Sequence, residues 1–155
     1  MSARRLAYLL DTNVLSAASP RQAAHHGELV QWLEAKSDLL WLSTISVVEI
    51  AAGIAAAERK GATRLTPTLA DWLEAVTQYY GDRILALDLP AAREVGRLLE
   101  HATAHGHNCD FEDIAIAGIA KSRGLVVLTR NVKDFAPLAA LGVAFHNPFE
   151  SLPPG

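Results

Sequence analysis

Asp11, Glu49 and Asp113 each fall where an apolar strand gives way to a helix, or within a helix's first turns. In a parallel α/β sheet those junctions share one edge, the edge at which ligands bind. Three acids far apart in sequence therefore converge on one small volume. Clustered carboxylates repel one another, and an oxygen-liganded divalent cation is the usual reason to tolerate them. The chemistry this predicts is that of a metal-dependent enzyme.

Each acid also has a purely structural competitor. Asp11 opens Asp11-Thr12-Asn13 after Leu9-Leu10, and all three residue types suit a helix N-cap. Ser46-x-x-Glu49 matches a capping box. A helix starting instead at Ser43 or Thr44 puts Glu49 in its second turn, pointing toward the strand ends. Asp110-x-x-Asp113 can cap and charge a helix start in the same way. Asp110 suits that role, whereas Asp113 precedes the small apolar run Ile114-Ala115-Ile116-Ala117-Gly118, which packs closely. The segment Thr129-Arg130-Asn131-Val132-Lys133-Asp134-Phe135 offers hydroxyl, guanidinium, amide and carboxylate groups. Thr129, Arg130 and Asn131 are candidate donors to a scissile phosphate, while Asn131 with Asp134 also suits a helix start.

Other chemically suggestive residues read as structural. Asp88 caps a helix. His101, His105 and His107, with Cys109 nearby, have spacings that suggest zinc, but they end a helix at Gly106, where His favours the dipole. Trp32, Trp41 and Trp72 fall on helix or strand faces and read as core or subunit contacts rather than base-stacking platforms.

The elements that must position the acids alternate from end to end. Strands are expected at 6–10, 39–42, 84–87, 125–128 and 143–145. Helices are expected at 27–36, 45–60, 69–80, 88–105, 111–122 and 135–141, with a polar loop at 62–68 closed by Pro67. The reading is one three-layer α/β domain over 1–150, with about five parallel strands joined by right-handed crossovers and a loose tail at 151–155.

A chain of 155 residues, half apolar and one-fifth charged, suits a single soluble domain rather than a disordered segment. The start, Met1 to Arg5, leads into only a short apolar run before Asp11, too little for a signal peptide, and no stretch reaches a membrane span. The lone Cys109 excludes an internal disulfide framework and fits a reducing cytoplasm. A net charge of −3 argues against unspecific coating of nucleic acid, though metal-binding acids of a nuclease contribute to that charge themselves. Basic residues form two local groups, Arg59, Lys60 and Arg64, then Lys121, Arg123, Arg130 and Lys133.

With these segments placed, the chain resembles PIN-domain ribonucleases, specifically the VapC-like toxins of type II toxin–antitoxin pairs. The matching text is Leu9-Leu10-Asp11-Thr12-Asn13-Val14-Leu15-Ser16, then Ser43-Thr44-Ile45-Ser46-Val47-Val48-Glu49-Ile50 with Gly53. Asp113-Ile114-Ala115-Ile116-Ala117 and Leu128-Thr129-Arg130-Asn131-Val132-Lys133-Asp134-Phe135 follow in order. Ile84-Leu85-Ala86-Leu87-Asp88 also fits, and Phe145-His146-Asn147-Pro148-Phe149 is similar to the FitB-like branch. The resemblance implies Mg²⁺, replaceable by Mn²⁺, held by Asp11, Glu49 and Asp113. It implies RNA cleavage leaving 5′-phosphate and 3′-hydroxyl ends, a homodimer and a small VapB-like antitoxin that blocks the site. Thr12, Asn13, Thr129, Arg130 and Asp134 would contact substrate. The family's fourth acidic position falls on Asn131, so either Asp134 compensates or Asn131 holds a water or phosphate oxygen.

Two rival readings stand beside this one. Asp11-Thr12-Asn13 resembles the Asp-x-Asp motif of haloacid dehalogenase-type phosphatases, which carry a phosphoaspartate, but that motif expects Asp at position 13. The other rival is a PIN-like RNA-binding scaffold without turnover, for which Asn131 is the support.

Overall fold

Short, fully buried apolar runs make the strands, because a parallel strand covered on both faces has no polar side. The computed structural model describes residues 5–154. It opens with β1 (Tyr8–Leu10), α1 (Thr12–Ala17), α2 (Gly27–Ala35), β2 (Leu40–Ser43), α3 (Thr44–Arg59) and α4 (Thr66–Tyr80). There follow β3 (Ile84–Leu85), α5 (Leu89–Ala104), α6 (Phe111–Arg123), β4 (Val126–Leu128), α7 (Val132–Phe135) and β5 (Phe145–His146).

All pairings are parallel, in the order β3-β2-β1-β4-β5. The chain winds outward from β1 through β2 to β3, then returns to β1's other side as β4. The crevice between β1 and β4 is thus the switch point where α/β sheets bind ligands. Side chains alternate across β1 and divide the core in two. Leu9 joins Val127, Val95, Leu98, Ile116 and Phe135 on one face. Tyr8 and Leu10 join Leu15, Leu29, Leu33, Leu40 and Leu42 on the other, with Trp32 and Trp72 packed against them. Trp41 packs against the first cluster. The three-layer α/β expectation holds, and the tryptophans are core contacts.

Boundaries differ where local signals are weak. β1 starts at Tyr8, and Leu6, expected inside it, is 55% exposed. The six-residue α1 is absent from the sequence expectation, being too short for a periodic pattern. α4 starts at Thr66, so Pro67 opens the helix rather than closing a loop: in the first turn its missing N–H costs nothing. The helix expected at 135–141 is the short α7 followed by a 3₁₀ turn (Ala136–Leu141) with Pro137 near its start. The last strand lies at Phe145–His146 rather than 143–145. Residues 1–4, on which the signal-peptide argument partly rests, and Gly155 lie outside the described residues. Within the expected loose tail, Pro153 is buried and the His146 ring reaches the Ser151 carbonyl at 2.6 Å. No helix among the described residues is long and apolar enough to cross a membrane.

Candidate active site

Asp11 directly follows β1 and is the N-cap of α1, so the structural reading of this residue holds and leaves its carboxylate at the carboxyl end of the strand. Its backbone is extended, Thr12 N–H donates to Oδ1 at 2.8 Å, and Asn13 Nδ2 donates to Oδ2 at 3.2 Å. From the neighbouring strand, the Thr129 hydroxyl donates to Oδ2 at 2.7 Å. Asp11 is only 2% exposed. Burial raises its pKa above the usual carboxylate value, against the three hydrogen bonds, and the charge of Asp134 raises it further.

Glu49 is placed by the start of α3. Ser43 is the N-cap, its hydroxyl accepting from Ser46 N–H at 3.2 Å. The capping box built on Ser46 is therefore absent, and Glu49 lies in the second turn. Thr12 Oγ1 lies 2.8 Å from Glu49 Oε1 and 2.9 Å from Ser46 Oγ. Its single proton goes to the carboxylate, leaving the oxygen to accept from Ser46. Burial, followed by the charges of Asp11, Glu112 and Asp110, raises the Glu49 pKa despite that bond.

Asp113 is the third residue of α6, after Asp110, whose extended backbone marks the N-cap without a side-chain capping bond. Asp113 is 8% exposed and its carboxyl is pushed up to about 7. Burial is the main cause, and the charges of Asp11, Asp134 and Asp110 add to it. A hydrogen bond to Asp134 also favours the protonated form of Asp113. Asp134 thus lies close enough for its charge to act on both Asp11 and Asp113.

Several expected substrate contacts have other duties. Thr129 is fully buried, with its proton on Asp11 and its oxygen accepting from Asn131 N–H at 2.9 Å, so it positions Asp11. Asn13 bridges Asp11 and the Arg130 N–H, which reaches its Oδ1 at 3.1 Å. Thr12 is committed to Glu49. Arg130 and Asn131 are both exposed at the rim, and the Asn131 side chain does not cap α7. Asn13 so engaged does not supply the leaving-group acid of an Asp-x-Asp phosphatase.

Of the remaining candidates, Asp88 caps α5, accepting from Ala91 N–H at 3.1 Å, and pairs with Arg123 at 3.3 Å. Lys121 pairs with Glu94 at 3.0 Å, so two of the four residues of the second basic group, Lys121 and Arg123, serve ion pairs. The Cys109 thiol faces the Asp134 carbonyl at 3.6 Å, and burial with nearby acids raises its pKa, the opposite of an activated nucleophile. His101 contacts the Pro137 carbonyl and His105 the His101 carbonyl. Among the described residues no three His, Cys, Asp or Glu side chains close into a metal-binding group. The acid cluster nevertheless suits a hard divalent cation by its chemistry. Its donors are carboxylate oxygens, and the charges acting on Asp11, Glu49 and Asp113 are those of other acids. Sequence reasoning weighed Ser46 only as a helix cap, and missed Glu112 and the position of Phe149 beside Arg130.

The PIN-domain family profile matches residues 8–141. The plasmid stability protein StbB of Pseudomonas syringae pv. tomato is 33% identical over 145 residues, covering 92% of this chain and 99% of that protein. The crystal structure of FitAcB from Neisseria gonorrhoeae superposes with a TM-score of 0.78 at 30% identity, covering 92% of this chain and 98% of the other. VapBC-5 of Mycobacterium tuberculosis, a member of the VapBC family of toxin–antitoxin systems, gives 0.65 at 26% identity, with 92% and 97% covered.

Proposed function

This chain belongs to the PIN-domain family, and we propose that it is a Mg²⁺- or Mn²⁺-dependent endoribonuclease, the toxin of a toxin–antitoxin pair. The observation that carries this reading is the group of acids gathered at the β1–β4 switch point, with Asp113 raised to about 7 by burial and by its acidic neighbours. Asp11, Glu49 and Asp113 are the residues that would hold the cation. When bound, it supplies charge stabilisation at a scissile phosphate and a lowered pKa for a water. Asp11 is held in one orientation by Thr12, Asn13 and Thr129, and Glu49 by Thr12. Asp113, whose proton is held up to about pH 7, would have to lose it to act as a ligand. Asn131 and Arg130 at the rim offer N–H donors to phosphate oxygens. In-line attack by water leaves 5′-phosphate and 3′-hydroxyl ends.

Two surfaces support the partners. Leu10, Leu15, Val30, Leu33, Trp72 and Val76 line an apolar groove of about 380 Å³ between α1, α2 and α4. It suits an amphipathic antitoxin helix. Among the described residues of α3, only Ser46 is fully buried although the helix is largely apolar. Val48, 63% exposed, lies on the face that a second copy would cover. Action on cellular RNA implies a cytoplasmic protein. Induced expression in a bacterial host tests the toxin reading. Growth arrest is expected, relieved by Asp11→Asn and by co-expression of a small neighbouring antitoxin. Arrest unchanged by Asp11→Asn contradicts it.

A further inference from the structure

Beside the acids, the turns that follow β4 and β5 meet in a stack of planar groups. The Arg130 guanidinium lies over the Phe149 ring, 3.8 Å from its centroid. His26 meets the same ring edge-on at 5.3 Å, with the planes 78° apart. Both sides of the stack are anchored. Thr129 N–H donates to the His146 carbonyl at 2.9 Å, tying the two turns together. Phe149 N–H donates to Asn147 Oδ1 at 3.0 Å. Arg130 N–H donates to Asn13, whose amide holds Asp11. An exposed arginine ordinarily samples many rotamers; this one has its guanidinium against an aromatic ring, and its backbone is one residue link from the acid cluster. Next to the ring opens a pocket of about 290 Å³ lined by His25, His26, Glu28, Phe149, Glu150 and Ser151 among others.

We propose that this stack is a nucleobase subsite. It rests on the ribonuclease reading and names how the substrate's base is held. The unstacked base beside the cleaved phosphate lies on the outer face of the Arg130 guanidinium and turns its edge toward the His26–Phe149 pocket. Guanidinium planes and aromatic rings are the surfaces on which single-stranded RNA bases stack. Glu28 and Glu150 disfavour a second phosphate in the pocket and accept hydrogen bonds from a base edge. The occupant is therefore planar, uncharged and rich in polar edges, which describes a base rather than the backbone.

The test measures binding of a short labelled single-stranded RNA by fluorescence anisotropy in the Asp11→Asn background with Mg²⁺ present, so that cleavage does not intervene. Arg130→Lys keeps the charge and loses the plane. It is expected to weaken binding about tenfold, as loss of one stacked base does. Lys133→Gln, at an exposed cation of the same loop, is expected to change it by less than about twofold. Replacing single nucleotides by abasic ones adds a second readout. One abasic position costs the protein with Arg130 intact about tenfold and the Arg130→Lys protein almost nothing. Phe149→Leu, checked for folding by its melting curve, follows Arg130→Lys. Equal affinities with and without the Arg130→Lys change, or abasic losses that are the same in both proteins, overturn the subsite while leaving the nuclease reading standing. An Asp11→Asn protein that binds no RNA, with wild type cleaving none, overturns both.

Discussion

Gly96 and Gly118 sit inside adjacent helices, and the same substitution has opposite consequences at the two. A Cβ on Gly118 of α6 would lie 2.4 Å from Val95 Cγ2, 3.0 Å from Val95 N and 3.3 Å from the Ala91 carbonyl oxygen. Two of those atoms are α5 backbone, so a rotamer change alone gives no relief and the helices must separate. Overpacking of this kind costs about 1–3 kcal/mol, offset by about 1 kcal/mol gained from replacing Gly by Ala in a helix. With backbone in the contact the upper part of the range applies, a net loss of about 1–2 kcal/mol. At this chain length that lowers Tm by about 2–8 °C. A Cβ on Gly96 of α5 meets nothing within 4 Å. Gly96→Ala should therefore stabilise by about 0.5–1 kcal/mol. Urea and thermal melts followed by circular dichroism read both variants. Because Asp113 is carried on α6, Gly118→Ala should also lower nuclease activity, whereas Gly96→Ala should not. A Gly118→Ala protein as stable as Gly96→Ala would refute the claim that α5 and α6 meet at that glycine.

Thr129→Val removes the 2.7 Å hydrogen bond to Asp11 and the acceptor for Asn131 N–H. It should cost about 1–3 kcal/mol of stability and about 10–100-fold in metal affinity measured by calorimetry, with Thr129→Ser restoring most of both. The raised carboxyls make metal-free stability depend on pH in a definite direction. Asp113 binds its proton more tightly folded than unfolded, so its contribution is fully present below its ordinary value of 3.8 and lost as pH rises through about 7. In EDTA, wild-type stability should thus fall relative to Asp113→Asn as pH rises through that window. Added Mg²⁺ should stabilise wild type most at the upper end, where the acids are charged. A difference between wild type and Asp113→Asn that is flat with pH contradicts the assignment.

The acids were legible in the sequence because they interrupt apolar runs at strand–helix junctions. The alternation of strands and helices gave the parallel α/β class that puts such junctions on one edge, but not the strand order that sets β4 beside β1. Their supports were not legible. Thr129 meets Asp11 across 118 residues, Arg130 N–H meets Asn13 across 117, and Thr12 meets Glu49 across 37. Those pairings depend on which strands neighbour each other and on register, and in sequence the same polar residues serve equally well as caps or substrate donors. The start of α4 was misplaced for a local reason, since Pro67 breaks a helix interior but opens a helix well. Arg130 on Phe149 was hidden because it needs the turns after β4 and β5 side by side.

Cleavage of pooled, end-labelled cellular RNA by the purified protein, in Mg²⁺, Mn²⁺ and EDTA beside a folded Asp11→Asn variant, tests the central claim most directly. The account predicts fragments bearing 5′-phosphates in either metal, none in EDTA and none from Asp11→Asn. Cleavage that persists in EDTA, or in the Asp11→Asn protein, would contradict it.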